Sequence, residues 1–100
     1  MLTGVAWYRR EQWELLRYVS SDADKLEDTY DEWLESAERT FKEILKAGIN
    51  LVKVDVDVDE LVAWCRSQGR PVDGDARSLF VTHKIRLGNR GADQQRPGRE

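Results

Sequence analysis

The pattern of hydrophobic and polar residues changes abruptly within the segment 49–65. Val52, Val54 and Val56 alternate with charged residues, which is typical of a β-strand with one buried face. The apolar residues that follow have the spacing of an amphipathic helix that ends before a glycine: Val58, Leu61, Val62, Cys65 and then Gly69. A single strand cannot satisfy its own backbone groups, so this pattern requires a second strand.

The short apolar run Gly4–Tyr8 is the best candidate for that second strand within the chain. We predict that Val5–Tyr8 pairs with Leu51–Val56. Directly after the first strand, the apolar pattern predicts a helix from about Arg9 to Val19.

The second predicted helix, over about residues 22–47, has the clearest apolar stripe in the sequence. Its members are Leu26, Tyr30, Trp33, Leu34, Ala37, Phe41, Ile44 and Leu45. Ser21 and Asp24 have the spacing of a capping box, and Gly48 is placed to end the helix in a left-handed conformation. An unbroken helix of this length is roughly 39 Å long, so we expect it to kink or to project from the domain.

A last helix is expected after Asp73, which can cap it, and it should end near Leu87. Its predicted apolar face comprises Ala76, Leu79, Phe80 and His83. Residues 88–100 are rich in glycine and polar residues and contain no large apolar side chain, so they are predicted to be a disordered tail. The sequence thus predicts one globular domain over residues 1–87.

Together these elements predict an α+β or small α/β fold of order β-α-α-β-α-α, with four helices packed mainly on one side of a two-stranded sheet. The alternative is a mostly helical bundle that lacks the first strand. A content of 40% hydrophobic residues in 100 residues is consistent with one modest core.

The formal net charge is −3, but residues 61–100 alone carry eight basic and four acidic side chains. Weak binding of nucleic acid by Arg77, Lys84, Arg86 and Arg90 is therefore an alternative function, although a solvated helix face that balances the acidic half of the chain explains these residues better. Because the chain as a whole is acidic, we expect nucleic acid not to be its partner.

Cys65 is the only cysteine, so the chain has no internal disulfide and suits a reducing compartment. The apolar runs are too short to span a membrane, and the N-terminus lacks the pattern of a signal peptide. These features predict a cytoplasmic protein that does not enter a membrane.

The alternate aspartates Asp55, Asp57 and Asp59 form the most metal-like cluster in the sequence, because carboxylates at this spacing begin a calcium loop. Glu60 stands where such a loop requires glycine, and Arg66 stands where it requires a bidentate glutamate. The same residues are explained by a strand face and by Asp57 as the cap of the following helix. A small metal-dependent enzyme is therefore kept as an alternative function.

No catalytic residue and no cofactor is predicted, since the sequence contains none of the usual phosphate-binding or nucleophile motifs. The leading hypothesis is a non-catalytic protein-interaction or regulatory module. Trp7 and Trp64 are candidate contact residues because tryptophan is enriched at interface hot spots. Lys53 is a candidate for strand-edge contact in a homodimer.

The segments WYRREQW, LEDTYDEW and DELVAWCRSQGRPVDGDARSLFV resemble a family of short bacterial proteins of uncharacterised function. The resemblance covers about residues 7–82. It implies a bacterial, cytoplasmic origin, and it carries over no site and no activity.

Overall fold

A computed structural model describes residues 2–95 of the chain, and the side chains of residues 2–87. Its elements are β1 (Thr3–Tyr8), α1 (Trp13–Val19), α2 (Tyr30–Lys46), β2 (Leu51–Val56), α3 (Val58–Ser67) and α4 (Gly74–Gln95). A short 3-10 helix precedes α1 at Arg10–Gln12, and another lies at Ala23–Lys25. This order confirms the predicted β-α-α-β-α-α fold rather than the helical bundle.

The two strands are parallel and in register, with Thr3 opposite Leu51 and Tyr8 opposite Val56. Side chains alternate along each strand, so the even-numbered residues share one face and the odd-numbered residues share the other. On the even face, Gly4 lies against Val81 and Ile85 of α4. On the odd face, Trp7 packs against Phe41 of α2. Helices therefore cover both faces of the sheet, as is usual for parallel strands, with α2 on the odd face and the other three helices on the even face.

The buried core lies between the even face of the sheet and helices α1, α3 and α4. Its apolar residues are Tyr8, Trp13, Leu16, Val56, Val58, Leu61, Cys65, Val72, Ala76, Phe80 and Val81. Helix α2 contributes no buried residue, although Tyr30 and Trp33 near its start pack against the core.

Helix α2 begins at Tyr30, about two turns later than predicted. Its cap is Thr29, whose side chain accepts a hydrogen bond from the Glu32 amide while the Glu32 carboxylate accepts one from the Thr29 amide. The residues at the predicted start of the helix do not begin it, because Asp22 forms an ion pair with Arg77 of α4 instead. The helix of 17 residues is consequently only about 25 Å long, so the difficulty posed by a 39 Å helix does not arise.

Helix α4 is capped by Asp73, whose carboxylate accepts a hydrogen bond from the Ala76 amide at 2.9 Å, as predicted. It continues to Gln95, beyond the predicted end near Leu87. Residues 88–95 of the predicted tail are thus helical, and residues 96–100 lie outside the described residues. Within residues 2–95, no helix is both long enough and apolar enough to cross a bilayer.

Candidate functional site

Helices α3 and α4 enclose an open cleft of about 520 Å³, lined by Glu60, Trp64, Phe80, His83, Lys84 and Leu87. We call it the α3–α4 cleft. It includes Trp64, one of the contact residues proposed from the sequence. Asp57 caps the start of α3 and Asp73 caps the start of α4, so these two residues fix where the helices that form the cleft begin.

Aromatic rings form the floor of the α3–α4 cleft. The Trp64 ring lies 5.6 Å from the Phe80 ring and 5.9 Å from the His83 ring, measured between centroids. Phe80 is buried and Trp64 is half-buried, whereas His83, which was predicted to lie on the apolar face of α4, is exposed at the edge. Leu87 is 44% exposed and extends the apolar wall towards solvent.

The rim of the cleft is polar. Lys84 Nζ lies 3.3 Å from Glu60 Oε1, and the same ammonium lies 6.0 Å from the centre of the Phe80 ring. Exposed ion pairs of this kind contribute little stability. The arrangement offers an apolar contact surface bordered by an ion pair.

Trp7 and Lys53 do not line this cleft and lie on the odd face of the sheet. Lys53 Nζ lies 4.2 Å from the centre of the Trp7 ring and 5.1 Å from that of Phe41. Trp7 also meets the Trp33 ring edge-on at 5.3 Å. These two sequence candidates therefore contact each other and α2 within the chain, and the structure does not bring them to Trp64.

Two of the three candidate metal ligands are engaged in other contacts. Asp55 Oδ2 accepts a hydrogen bond of 2.6 Å from Arg9 Nη2, which lowers the pKa of that carboxyl. Asp57 Oδ1 caps α3 by accepting from the Asp59 amide at 2.8 Å. Asp59 is exposed in the first turn of α3. In the part of the chain that the structure describes, no three or more potential ligands converge on a common point, so the geometry gives the metal alternative no support.

Two of the basic residues considered for nucleic acid are already paired with acidic side chains. Arg77 is nearly buried and forms a bidentate pair with Asp22 at 2.9 Å, so it is not available to a phosphate. Lys84 is paired with Glu60. Arg86 is exposed, and the side chain of Arg90 lies outside those described. Among residues 74–87 of α4, whose side chains are described, the predicted patch is therefore reduced to one free side chain, that of Arg86.

Cys65 is buried in the core, as predicted from its position on the apolar side of α3. Burial raises the pKa of its thiol, and a thiol that stays protonated is a poor nucleophile. The structure gives Cys65 a packing role.

No model of a known protein family, no curated protein and no solved structure matches this chain. The resemblance to short bacterial proteins stays a prediction.

Sequence reasoning selected Trp64 but missed the other walls of its cleft, Phe80 and Leu87. Phe80 was placed in the core and Leu87 at the end of a helix. One signal was present: only six residues connect α3 to α4, and a short connection favours antiparallel helices in contact.

Proposed function

We propose that this chain is a non-catalytic protein-interaction module that binds a segment of a partner protein in the α3–α4 cleft. The observation that carries the proposal is the cleft itself, an apolar trough of about 520 Å³ that is open to solvent. Small-molecule sites usually bury most of the ligand surface. An open trough leaves much of a small ligand in water, whereas it accommodates side chains that project from a larger partner.

The partner that fits this trough is an amphipathic helix with one or two bulky apolar side chains. Trp64 and Phe80 provide the apolar floor, and the Glu60–Lys84 pair provides a polar rim. An apolar centre with a polar rim is the usual arrangement of a protein interface. Grooves between helices commonly receive the apolar face of a third helix. A reduced, buried Cys65 is compatible with the cytoplasm, which is the compartment that we propose.

A displayed library of amphipathic helical peptides tests the proposal. We expect selection on the wild-type chain to enrich peptides that share an apolar spacing of i, i+3 or i+4. Binding of these peptides should weaken about tenfold or more in Leu87→Glu, which places a charge on the cleft wall at an exposed position, and in Trp64→Ala. Binding is measured by isothermal titration calorimetry with the selected peptides.

Tyr18→Ala is the matched control, because Tyr18 is an aromatic residue on α1 that is 87% exposed and does not line the cleft. It should leave peptide binding unchanged. Circular dichroism of each variant checks that the fold is kept. Selected peptides that bind Leu87→Glu as tightly as the wild type would show that the cleft is not the docking site.

A further inference from the structure

Helix α2 segregates its apolar and polar residues sharply, yet the single chain buries its apolar side only in part. No residue of α2 is buried, Leu34 and Phe41 are half-buried, and Leu45 is 45% exposed. A helix of 17 residues is only marginally stable alone and gains most of its stability from packing. The apolar side of α2 is therefore suited to a further partner.

Apolar and charged residues both occur along the exposed flank of the apolar side of α2. Leu34 and Leu45 lie about three turns apart and so share one flank. Glu38 lies on the same flank one turn after Leu34, and Lys42 follows one turn after Glu38. Glu35 and Lys46 border this row.

Charge is distributed unevenly between the two halves of α2. Residues 30–38 carry four acidic side chains and no basic one, whereas residues 39–46 carry three basic side chains and one acidic one. Among the described residues, the salt bridges include none of Glu35, Glu38, Lys42 or Lys46. An antiparallel copy of the same helix would place an acidic half against a basic half at both ends.

We propose that α2 is the interface of a symmetric homodimer in which the α2 helices of two copies pack antiparallel. A two-fold axis near residues 39 and 40 places Leu34 of one copy opposite Leu45 of the other. The same axis places Glu38 opposite Lys42, and Glu35 opposite Lys46. Each contact occurs twice, as a two-fold interface requires.

This interface differs from the strand edge, because the Lys53 ammonium is already held over the Trp7 and Phe41 rings of its own chain. It also leaves the α3–α4 cleft free, so it does not depend on the proposed peptide binding. One helix face is a small interface, and we expect the dimer to form at tens to hundreds of micromolar, an order-of-magnitude estimate.

Sedimentation equilibrium of the full chain between about 10 and 500 μM tests the proposal, with the monomer at 11.6 kDa. In the Glu38→Lys variant, the new lysine of each copy faces Lys42 of the other copy, so the interface contains two repulsive pairs. In the Lys42→Glu variant, the new glutamate of each copy faces Glu38 of the other copy, again in two repulsive pairs. Each variant should weaken the dimer about tenfold or more. An equimolar mixture of the two variants should associate again, because every pair across a mixed interface is attractive.

Rescue by mixing distinguishes contact between two chains from an effect within one helix, since neither chain alone regains its original charges. Glu43→Lys is the matched control: it makes the same charge change on the opposite side of α2 and should leave the dimer intact. A wild-type chain that stays at monomer mass at 500 μM overturns the proposal. Dimerisation that resists both reversals, or a mixture no tighter than its components, overturns it as well.

Discussion

Arg77 and Asp22 connect the two halves of the molecule through one nearly buried ion pair. Their side chains are only 11% and 16% exposed. Arg77 also donates to the Ser20 hydroxyl, and the Asp22 carboxylate accepts from the Gly74 amide at the start of α4. The hydrogen bonds from Arg77 lower the pKa of Asp22. Because Arg77 and Asp22 both have hydrogen-bond partners within the protein, their pair is a structural contact rather than a site for an anion.

We expect Arg77→Met to lower the free energy of unfolding by about 3 kcal/mol, because it leaves the Asp22 carboxylate nearly buried without its cation. Urea denaturation at pH 7 measures the change. Arg86→Met, an exposed arginine on the same helix, is the control and should change stability by less than about 0.5 kcal/mol. Equal effects of the two substitutions would show that the Asp22 pair is not a stabilising contact.

The buried Tyr8 side chain leads to a prediction about how the free energy of unfolding depends on pH. Burial raises the pKa of Tyr8 to about 12, and the nearby Arg77 guanidinium offsets part of this rise. In the unfolded chain the phenol loses its proton near pH 10. The buried neutral phenol therefore contributes fully to the free energy of unfolding below pH 10. This contribution is lost as the pH rises towards 12, and the loss is about 2 kcal/mol.

Urea denaturation at pH 9 and at pH 11.5 measures this loss, and Tyr8→Phe should lose distinctly less stability over the same interval. Tyr18→Phe serves as the control, because the Tyr18 side chain is exposed in the folded chain. An unchanged alkaline loss in Tyr8→Phe would assign the effect to other groups.

At the scale of elements, the ends that depend on local chemistry were predicted correctly. Asp57 and Asp73 cap their helices, and Gly48 and Gly69 have φ angles of 85° and 67°, in the left-handed region. The start of α2 was predicted wrongly because Asp22, inside the predicted first turn, pairs with a residue far along the chain. Local spacing contains no information about such a tertiary competitor.

The contact of β1 with α4 leads to a prediction at Gly4. A Cβ atom at this position would lie in contact with Ile85 Cδ1 and 2.8 Å from Val81 Cγ1. We expect Gly4→Ala to lower the free energy of unfolding by about 1–2 kcal/mol through overpacking. Thermal and urea denaturation measure the change.

Gly74→Ala is the matched control for Gly4→Ala. A Cβ atom there would meet only Asp22 and Arg77, at ordinary distances of 3.6 and 3.8 Å. It should be tolerated without a comparable loss. A Gly4→Ala chain as stable as the wild type would mean that α4 can move away from the sheet at no cost.

At the scale of the whole molecule, the spacing of apolar residues predicted the apolar stripe of each helix. It did not predict which surface of the fold each stripe packs against. The order of elements and most of the core followed from spacing alone. The packing of α2 on the odd face did not follow from spacing, and this packing places the Phe41 ring beside Trp7 and Lys53. Trp64 was selected for its type, whereas its cleft depends on how α4 lies against α3, so only one wall of the site was predictable.

The parallel pairing of β1 with β2 also has a consequence for the order of folding. Thr3 and Leu51 are neighbours in the sheet, although α1 and α2 lie between them in the chain. Closing so long a loop costs entropy before the strands gain anything from pairing. Helices form locally and much faster than such contacts. We therefore expect the sheet at the centre of the structure to be completed late, on a scaffold of helices that are already collapsed.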